Sequence, residues 1–233
     1  VRILAPMVLA YFETGMRRQA STAAEELLRL AARVTDPFNL AVMHMNVGRV
    51  LMQNGDVADA DESFKRAEDY FRSLDLQTEL GRAHLARGHN FLQHDRLDEA
   101  ERELLVALEI FELTSSKVDQ GRAYAELGRL SRLRGDIDEA MERLRNASAL
   151  LKDAKDAAEQ ANVYREMGLA LADSNREAAR KSLRKAIVLY NKIDDVVEGA
   201  KTYRLLGDFL EDEREADAAK TAYLEGLRLL EKI

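Results

Sequence analysis

The sequence predicts an all-α protein built from repeated pairs of antiparallel helices, and three observations support this prediction. First, an alanine and then a large apolar residue follow a recurring glycine at nearly constant spacing. Second, the composition, 33 % charged with only 2 prolines, suits long helices. Third, the glycines themselves lie 40, 40, 40 and 39 residues apart, which indicates a repeat array. They are Gly48, Gly88, Gly128, Gly168 and Gly207.

The repeats are assigned in chain order. Residues 1–35 are predicted to form a degenerate N-terminal helix pair, because Ala24, Leu28 and Ala31 repeat the spacing of a second helix. Five full repeats follow, and together they are predicted to form one continuous solenoid domain. Their approximate boundaries are 36–74, 75–114, 115–154, 155–193 and 194–233.

The third full repeat shows how each pair is recognised. Its first helix is predicted from about Val118 to Arg134, with apolar and small residues at helical spacing, and Gly135 ends it. Its second helix carries Ala140 and Leu144 on one stripe. A glycine inside a helix costs about 0.5–1 kcal/mol relative to alanine. Its recurrence therefore predicts a close approach between the two paired helices.

This frame of small and bulky residues resembles the tetratricopeptide repeat (TPR). The resemblance covers about residues 36–233 and implies a right-handed superhelical TPR solenoid. The period of 40 residues exceeds the usual TPR period of about 34. Longer repeats of this kind resemble those of bacterial TPR sensor regulators and of scaffold adaptors. In the first full repeat the matching residues are Val47, Gly48, Leu51, Ala60, Phe64 and Ala67.

Composition and charge exclude several classes of protein. The formal net charge of −7 argues against a surface built as a whole for nucleic acid. The absence of cysteine excludes disulfides and thiolate chemistry, which fits a cytoplasmic protein. No apolar run approaches the roughly 20 residues that a membrane span needs, so no membrane partner is expected. The first residues lack a signal-peptide layout, and we expect further domains, such as a DNA-binding domain, outside this sequence.

Catalytic motifs are absent from the sequence. It contains no phosphate-binding loop, no Gly-x-Ser-x-Gly and no His-Glu-x-x-His. His84, His89 and His94 are spaced by five and do not share a helix face. His44 and His84 occupy equivalent positions at which later repeats carry tyrosine, so both are interpreted as residues at the edge of the core. We therefore predict no enzyme activity, no metal and no cofactor.

The resemblance implies that the first helix of each repeat lines a concave groove. With the glycine counted as slot 8, the groove-facing slots are 2, 5, 9 and 12. Eight of these twenty residues are Arg or Lys and two are acidic, although the whole chain is acidic. Cations sorted into a cleft favour an anionic ligand. The predicted groove residues are Met45, Arg49, Met52, Arg82, Leu85, His89, Arg122, Arg129, Arg132, Arg165 and Arg204.

The favoured function is non-enzymatic capture of a partly acidic peptide or protein segment in this groove. Arginine suits bidentate carboxylate contacts, and the methionine and leucine side chains offer an adaptable apolar strip. By resemblance, the setting would be the sensor domain of a bacterial regulator. One alternative is that the arginines pair with neighbouring carboxylates, such as Glu126 or Glu166, and form a solvated inner face. Direct nucleic-acid binding is disfavoured.

The last helix supports a second hypothesis, self-assembly or scaffolding through the C-terminal end and the convex face. Solenoids usually end in a helix with a polar outer face, whereas this helix is as apolar as an internal one. Either a capping helix lies outside this sequence or a partner chain covers the end. The predicted contact residues are Tyr223, Leu224, Leu227 and Leu230.

Overall fold

The computed structural model describes residues 7–8, 10–11, 16–152 and 156–231. Parts of the predicted N-terminal pair (1–6, 9 and 12–15), residues 153–155, and residues 232–233 of the last repeat lie outside the described residues. Within the described ranges, residues 7–8 and 10–11 are helical, eleven α-helices follow between residues 17 and 230, and there is no strand. They are α1 Arg17–Ala31, α2 Pro37–Asn54, α3 Val57–Ser73, α4 Gln77–Leu92, α5 Leu97–Leu113, α6 Lys117–Arg134, α7 Ile137–Lys152, α8 Ala157–Leu171, α9 Arg176–Lys192, α10 Val196–Asp212 and α11 Ala216–Leu230.

The chain divides into two compact units, residues 1–119 (the N-lobe) and residues 120–233 (the C-lobe). In the N-lobe, α2 pairs with α3 and α4 with α5, and α3 also packs on α4. In the C-lobe, α8 pairs with α9 and α10 with α11, and α10 also packs on α9. The fold is thus all-α and of TPR type, as the sequence predicts.

Each lobe has its own apolar core. In the N-lobe, Phe64 and Phe71 of α3 are buried among Ala60, Ala67 and residues of α2 and α4. In the C-lobe, Ile187 of α9 shares a cluster with Leu206 and Phe209 of α10. Burying these residues in contiguous clusters is the main favourable term for such helices, which are marginal in isolation.

The recurring glycines lie where a large side chain of the paired helix crosses. A Cβ added at Gly88 would lie 2.6 Å from Leu104 Cγ, and one added at Gly81 would lie 2.6 Å from Phe111 Cε1. Because the earlier position on α4 meets the later residue on α5, the two helices run antiparallel. The glycine therefore makes room mainly for the large apolar side chain that follows the repeat alanine.

The helix ends follow the sequence closely. Gly55 and Gly135 end α2 and α6 with φ values of 86° and 87°, a conformation that glycine adopts without strain. Asn175 and Asp195 cap α9 and α10 by accepting hydrogen bonds from backbone N–H groups at 3.1 Å. None of the helices in the described ranges combines the length and apolar composition that crossing a bilayer requires.

Candidate functional site

Some of the predicted groove residues of the N-lobe are buried in the core, and others are half-buried. Met45 and Met52 are buried in the core cluster around Phe64 and do not form an open apolar strip. Their side chains fill space against α3, which explains why flexible methionine is tolerated there. Leu85 and His89 on α4 are half-buried, and so is Arg49 on α2. The N-lobe thus offers a smaller apolar surface at these positions than the sequence predicts.

Arg82 is bound to a carboxylate of the same lobe. Its guanidinium donates from Nε and Nη2 to Asp119, with Nη2 2.9 Å from Oδ2. The Asp119 side chain is only 1 % exposed and also accepts a 2.7 Å hydrogen bond from the Ser116 hydroxyl. A buried carboxylate needs such partners, because an unpaired buried charge costs several kcal/mol, about 3–5 when one partner is removed.

Two arginines of the C-lobe also pair with carboxylates at the start of the next first helix, although Arg165 stands three residues later in its repeat than Arg82 and Arg122 do. Arg122 Nη2 lies 2.8 Å from Asp156 Oδ2, and its Nε lies 3.3 Å from Glu159 Oε1. Arg165 pairs with Glu198. Asp119, Glu159 and Glu198 occupy the same position at the start of successive first helices. We call the pairs Arg82–Asp119, Arg122–Glu159 and Arg165–Glu198 the ion-pair ladder.

Arg129 and Arg132 on α6 also face carboxylates. Arg132 donates from Nε to Glu166 Oε2 at 2.9 Å, and Arg129 Nη1 lies 3.9 Å from Glu126 Oε2. These are the acidic neighbours that the alternative interpretation of the inner face names. Carboxylates of the chain therefore neutralise part of the positive charge at these positions. A count of cations at the groove-facing slots overstates the positive electrostatic potential that a ligand would meet.

Arg204 on α10 differs from the other predicted groove arginines. It occupies the position of Arg165, one repeat later, and is exposed. Among the described residues it has no ion-pair partner, because no further first helix follows α11 there to supply the next carboxylate of the ladder. Its neighbour Lys201 pairs with Glu198 at 2.6 Å.

A cavity of about 400 Å³ lies between α10 and α11 beside Arg204. Three of the apolar residues that line it are exposed to solvent: Val197, Leu227 and Leu230, at 44 %, 58 % and 44 %. We call the surface formed by Val197, Arg204, Leu227 and Leu230 the end face. The full lining comprises Val197, Ala200, Lys201, Arg204, Tyr223, Gly226, Leu227 and Leu230.

The equivalent surface one repeat earlier is covered. Ile187 and Tyr190 of α9 stand at the positions of Leu227 and Leu230, yet they are 5 % and 1 % exposed. Ile187 packs with Leu206 of α10. Tyr190 instead packs with Ala161 of α8, and its hydroxyl donates to Asn162 Oδ1 of the same helix. The end face therefore has the character of an internal repeat surface that lacks its covering helix within the described residues.

Tyr223 and Leu224, the other two residues predicted to make contacts at the C-terminal end, do not belong to the end face. The Tyr223 ring packs over Gly207, where an added Cβ would lie 2.4 Å from Cε1. Its hydroxyl donates to Asp208 at 2.8 Å or Glu211 at 3.0 Å, and these hydrogen bonds raise the pKa of Tyr223. Tyr223 thus joins α10 to α11. Leu224 is 44 % exposed but does not line the cavity.

A buried polar cluster lies inside the N-lobe. Arg87 donates from Nη1 to Glu68 and Glu103 at 3.0 and 2.9 Å, and His84 Nδ1 lies 2.7 Å from Glu103 Oε2. Burial raises the pKa of Glu68. Glu68, His84 and Glu103 could together hold a metal, and no other such group exists among the described residues. The guanidinium already bound to both carboxylates opposes a cation there. His44 is also buried and stacks on Tyr70.

Helix α9 carries a basic surface that reasoning from the groove slots missed. Lys181, Arg184 and Lys185 are exposed and line an open cavity of about 780 Å³. Lys185 Nζ lies 4.8 Å from the centre of the Tyr164 ring. The signal was present in the sequence, because residues 176–192 hold six basic residues and one acidic residue. It lies on a second helix, outside the slots considered for the groove.

Comparison with known families gives one match. The model of the family described as "SNAP: Soluble NSF attachment protein" matches residues 92–232, which is more than half of the chain. None of the curated proteins compared with the chain matches it.

Solved structures share the fold at low sequence identity. The apo form of RapI has a TM-score of 0.77 at 14 % identity, over 99 % of this chain and 84 % of that one. NprR in complex with its cognate peptide NprX has a TM-score of 0.73 at 15 % identity, over 98 % and 66 %. Aspartyl phosphate phosphatase F from Bacillus subtilis has a TM-score of 0.75 at 14 % identity, over 97 % and 58 %, so this chain spans little more than half its length. These similarities confirm the TPR-type fold.

Proposed function

We propose a binding function for this chain, which belongs to the soluble NSF attachment protein (SNAP) family. It is a non-enzymatic TPR module that captures a partly acidic peptide or protein segment. The observation that carries this proposal is the end face, where an unpaired arginine stands beside exposed valine and leucine side chains. The similarity to NprR, whose structure contains a bound peptide, supports a peptide ligand.

The proposed site comprises fewer residues than the groove that the sequence predicts. Arg82, Arg122, Arg132 and Arg165 hold carboxylates of the chain, so a ligand there must compete with an existing ion pair. At Arg204 no such exchange is needed. A ligand carboxylate gains a charge-assisted hydrogen bond without breaking one. The regulatory role suggested by the resemblance to sensor proteins remains part of the proposal.

The test compares capture of binding partners by the wild type and by Arg204→Glu. Lysate from source cells is passed over each immobilised protein, and retained species are identified by mass spectrometry. Arg29→Glu on α1 is the matched control, since it makes the same charge change at an exposed arginine. We expect a species that wild type and control retain and Arg204→Glu loses. Equal capture by all three proteins would contradict binding at Arg204, and no capture at all would contradict the binding function.

Self-assembly through the same end is the second candidate, favoured by the exposure of Leu224, Leu227 and Leu230. Light scattering coupled to size exclusion distinguishes it, measured over about a hundredfold range of protein concentration. A mass that rises with concentration, and that Leu227→Glu returns to the monomer, supports assembly. A constant monomer mass eliminates it.

A further inference from the structure

We propose that copies of this chain associate head to tail, with the outer surface of α5 in one copy packing antiparallel against the outer surface of α9 in a second copy. Both are second helices of their repeats, α5 in the N-lobe and α9 in the C-lobe. The contact is separate from the end face and independent of peptide capture at Arg204.

The second helices of the first four full repeats share an outer surface that the repeat geometry leaves in solvent. Counted from the repeat alanine, the residues two, five, six and nine positions later are exposed in α3, α5, α7 and α9. Further helices follow each of the four, so this exposure does not depend on where the sequence ends. In α3 these residues belong to ion pairs within the helix: Arg66 Nε, for example, lies 3.0 Å from Glu62 Oε1.

In α9 the same four positions hold three cations and a valine. Val188 is 65 % exposed. Among the described residues Lys181 and Arg184 have no ion-pair partner, and Lys185 contacts the Tyr164 ring rather than a carboxylate. Cations without their own counter-charges around an exposed apolar side chain favour a partner surface that is both acidic and apolar.

The outer surface of α5 is acidic and apolar. Leu105 and Val106 are 47 % and 39 % exposed. Glu109 and Glu112 continue the same face of the helix, and within the described ranges neither has an ion-pair partner. The two surfaces that depart most from the self-neutralised pattern of α3 are therefore complementary to each other.

An antiparallel arrangement places the complementary side chains opposite one another. Residues three or four apart share one helix face and are separated by about one turn. Aligning the exposed apolar residues of the two helices therefore also fixes the pairs on either side. The opposed positions are Leu105 and Val188, Glu109 and Arg184, Glu112 and Lys181, and Arg102 and Asn191.

A parallel arrangement with the same apolar contact is less favourable. It would place Arg102 opposite Lys185, so that like charges meet. Glu109 would still face a cation, Lys192, but Glu112 would extend past that last residue of α9. Matching of charge and apolar surface thus selects the antiparallel direction.

The association should be weak and dependent on salt. A contact of one helix with another is smaller than the roughly 1,600 Å² of a standard interface. Its charges lie at an exposed surface, where physiological salt screens them over about 8 Å. The net charge of −7 also opposes approach of two copies at long range. We therefore expect a complex at high protein concentration that added salt dissociates.

The test uses two charge-reversed variants of the intact chain. Glu109→Lys/Glu112→Lys makes the α5 surface basic, and Lys181→Glu/Arg184→Glu makes the α9 surface acidic. Each variant alone opposes like charges and should stay a monomer. An equimolar mixture should associate, because every surface then meets one of opposite charge. Sedimentation velocity measures the mass over about a hundredfold range of protein concentration.

The control is Arg66→Glu/Arg72→Glu, which makes the same charge change at exposed arginines of α3 and should associate as the wild type does. Circular dichroism verifies that each variant keeps its helices. A wild type that stays monomeric at every concentration overturns the proposal, and so does a mixture that does not associate. Association that Leu227→Glu abolishes while both charge-reversed variants keep it would instead assign the contact to the end face.

Discussion

At Gly128 one missing methyl group decides how closely α6 and α7 pack. A Cβ there would lie 2.7 Å from Leu144 Cγ and 3.3 Å from the carbonyl oxygen of Ala140. Glycine in a helix interior costs about 1 kcal/mol relative to alanine. The glycine is therefore favourable only because the leucine side chain occupies the space that a Cβ would need.

The effect of Gly128→Ala on stability should depend on the side chain at position 144. Gly128→Ala should destabilise the wild type by about 1–3 kcal/mol, because it overpacks the contact with Leu144. In a Leu144→Ala background the same substitution should be neutral or should stabilise by up to about 1 kcal/mol, since helix propensity then dominates. Urea unfolding of the four proteins measures both values. Equal effects in the two backgrounds would show that Leu144 is not the cause.

At the scale of elements, α8 and α10 are joined by the pair Arg165–Glu198. Burial acts to raise the pKa of Glu198, but hydrogen bonds from Lys201 and Arg165 outweigh it and lower that pKa below its ordinary value of 4.5. Because the folded state then binds a proton less readily than the unfolded state, the paired carboxylate stabilises the fold above about pH 4.5. This contribution is lost as the pH falls through the lowered pKa.

Glu198→Gln should therefore reduce the free energy of unfolding at pH 7 by about 1–3 kcal/mol, since it removes charge-assisted hydrogen bonds. The difference from wild type should shrink as the pH is lowered below 4.5. Denaturant unfolding at a series of pH values measures it. Glu109→Gln on α5, at an exposed carboxylate, is the control and should change stability by less than about 0.5 kcal/mol at any pH. A Glu198→Gln effect independent of pH would refute the assigned role of the charge.

At the scale of the whole molecule, the two lobes each carry their own core. In repeat proteins stability is approximately a sum of local terms and nearest-neighbour interfaces. Phe64→Ala, which removes a fully buried ring in the N-lobe, should cost about 3–5 kcal/mol. We expect hydrogen exchange to show loss of amide protection mainly in α2–α5, with less loss in α8–α11. Leu183→Ala in the C-lobe should give the reverse pattern. Uniform loss in both variants would indicate a single cooperative unit.

Much of the fold could be predicted because it depends on local and periodic signals. The glycine interval and the residues that follow it place the first and second helices of each full repeat. The turn residues Gly55 and Gly135 end helices where the sequence indicates. The burial of Met45 and Met52 could not be read from their slots, because it depends on how closely α3 approaches α2.

The candidate site was only partly predictable for a related physical reason. The sequence identifies arginines at equivalent positions on the first helices, but the charge that each offers depends on residues distant in the chain. Arg165 and Arg204 look alike in sequence, yet one holds the carboxylate of Glu198 and the other is exposed. Similarly, His84 has the pattern of a residue at the edge of the core, whereas it belongs to a buried network with Glu103 and Arg87.

The sequence by itself determined the all-α repeat architecture, because helix period, capping and small-residue spacing act over one or two turns or between adjacent helices. Only the tertiary structure decided which cations and apolar side chains are available to a partner. The ion pairs join side chains that are distant in the chain, with a separation of 37 residues for Arg82 and Asp119 and of 33 for Arg165 and Glu198. The end face is open because, among the described residues, no helix lies on α11 as α10 lies on α9.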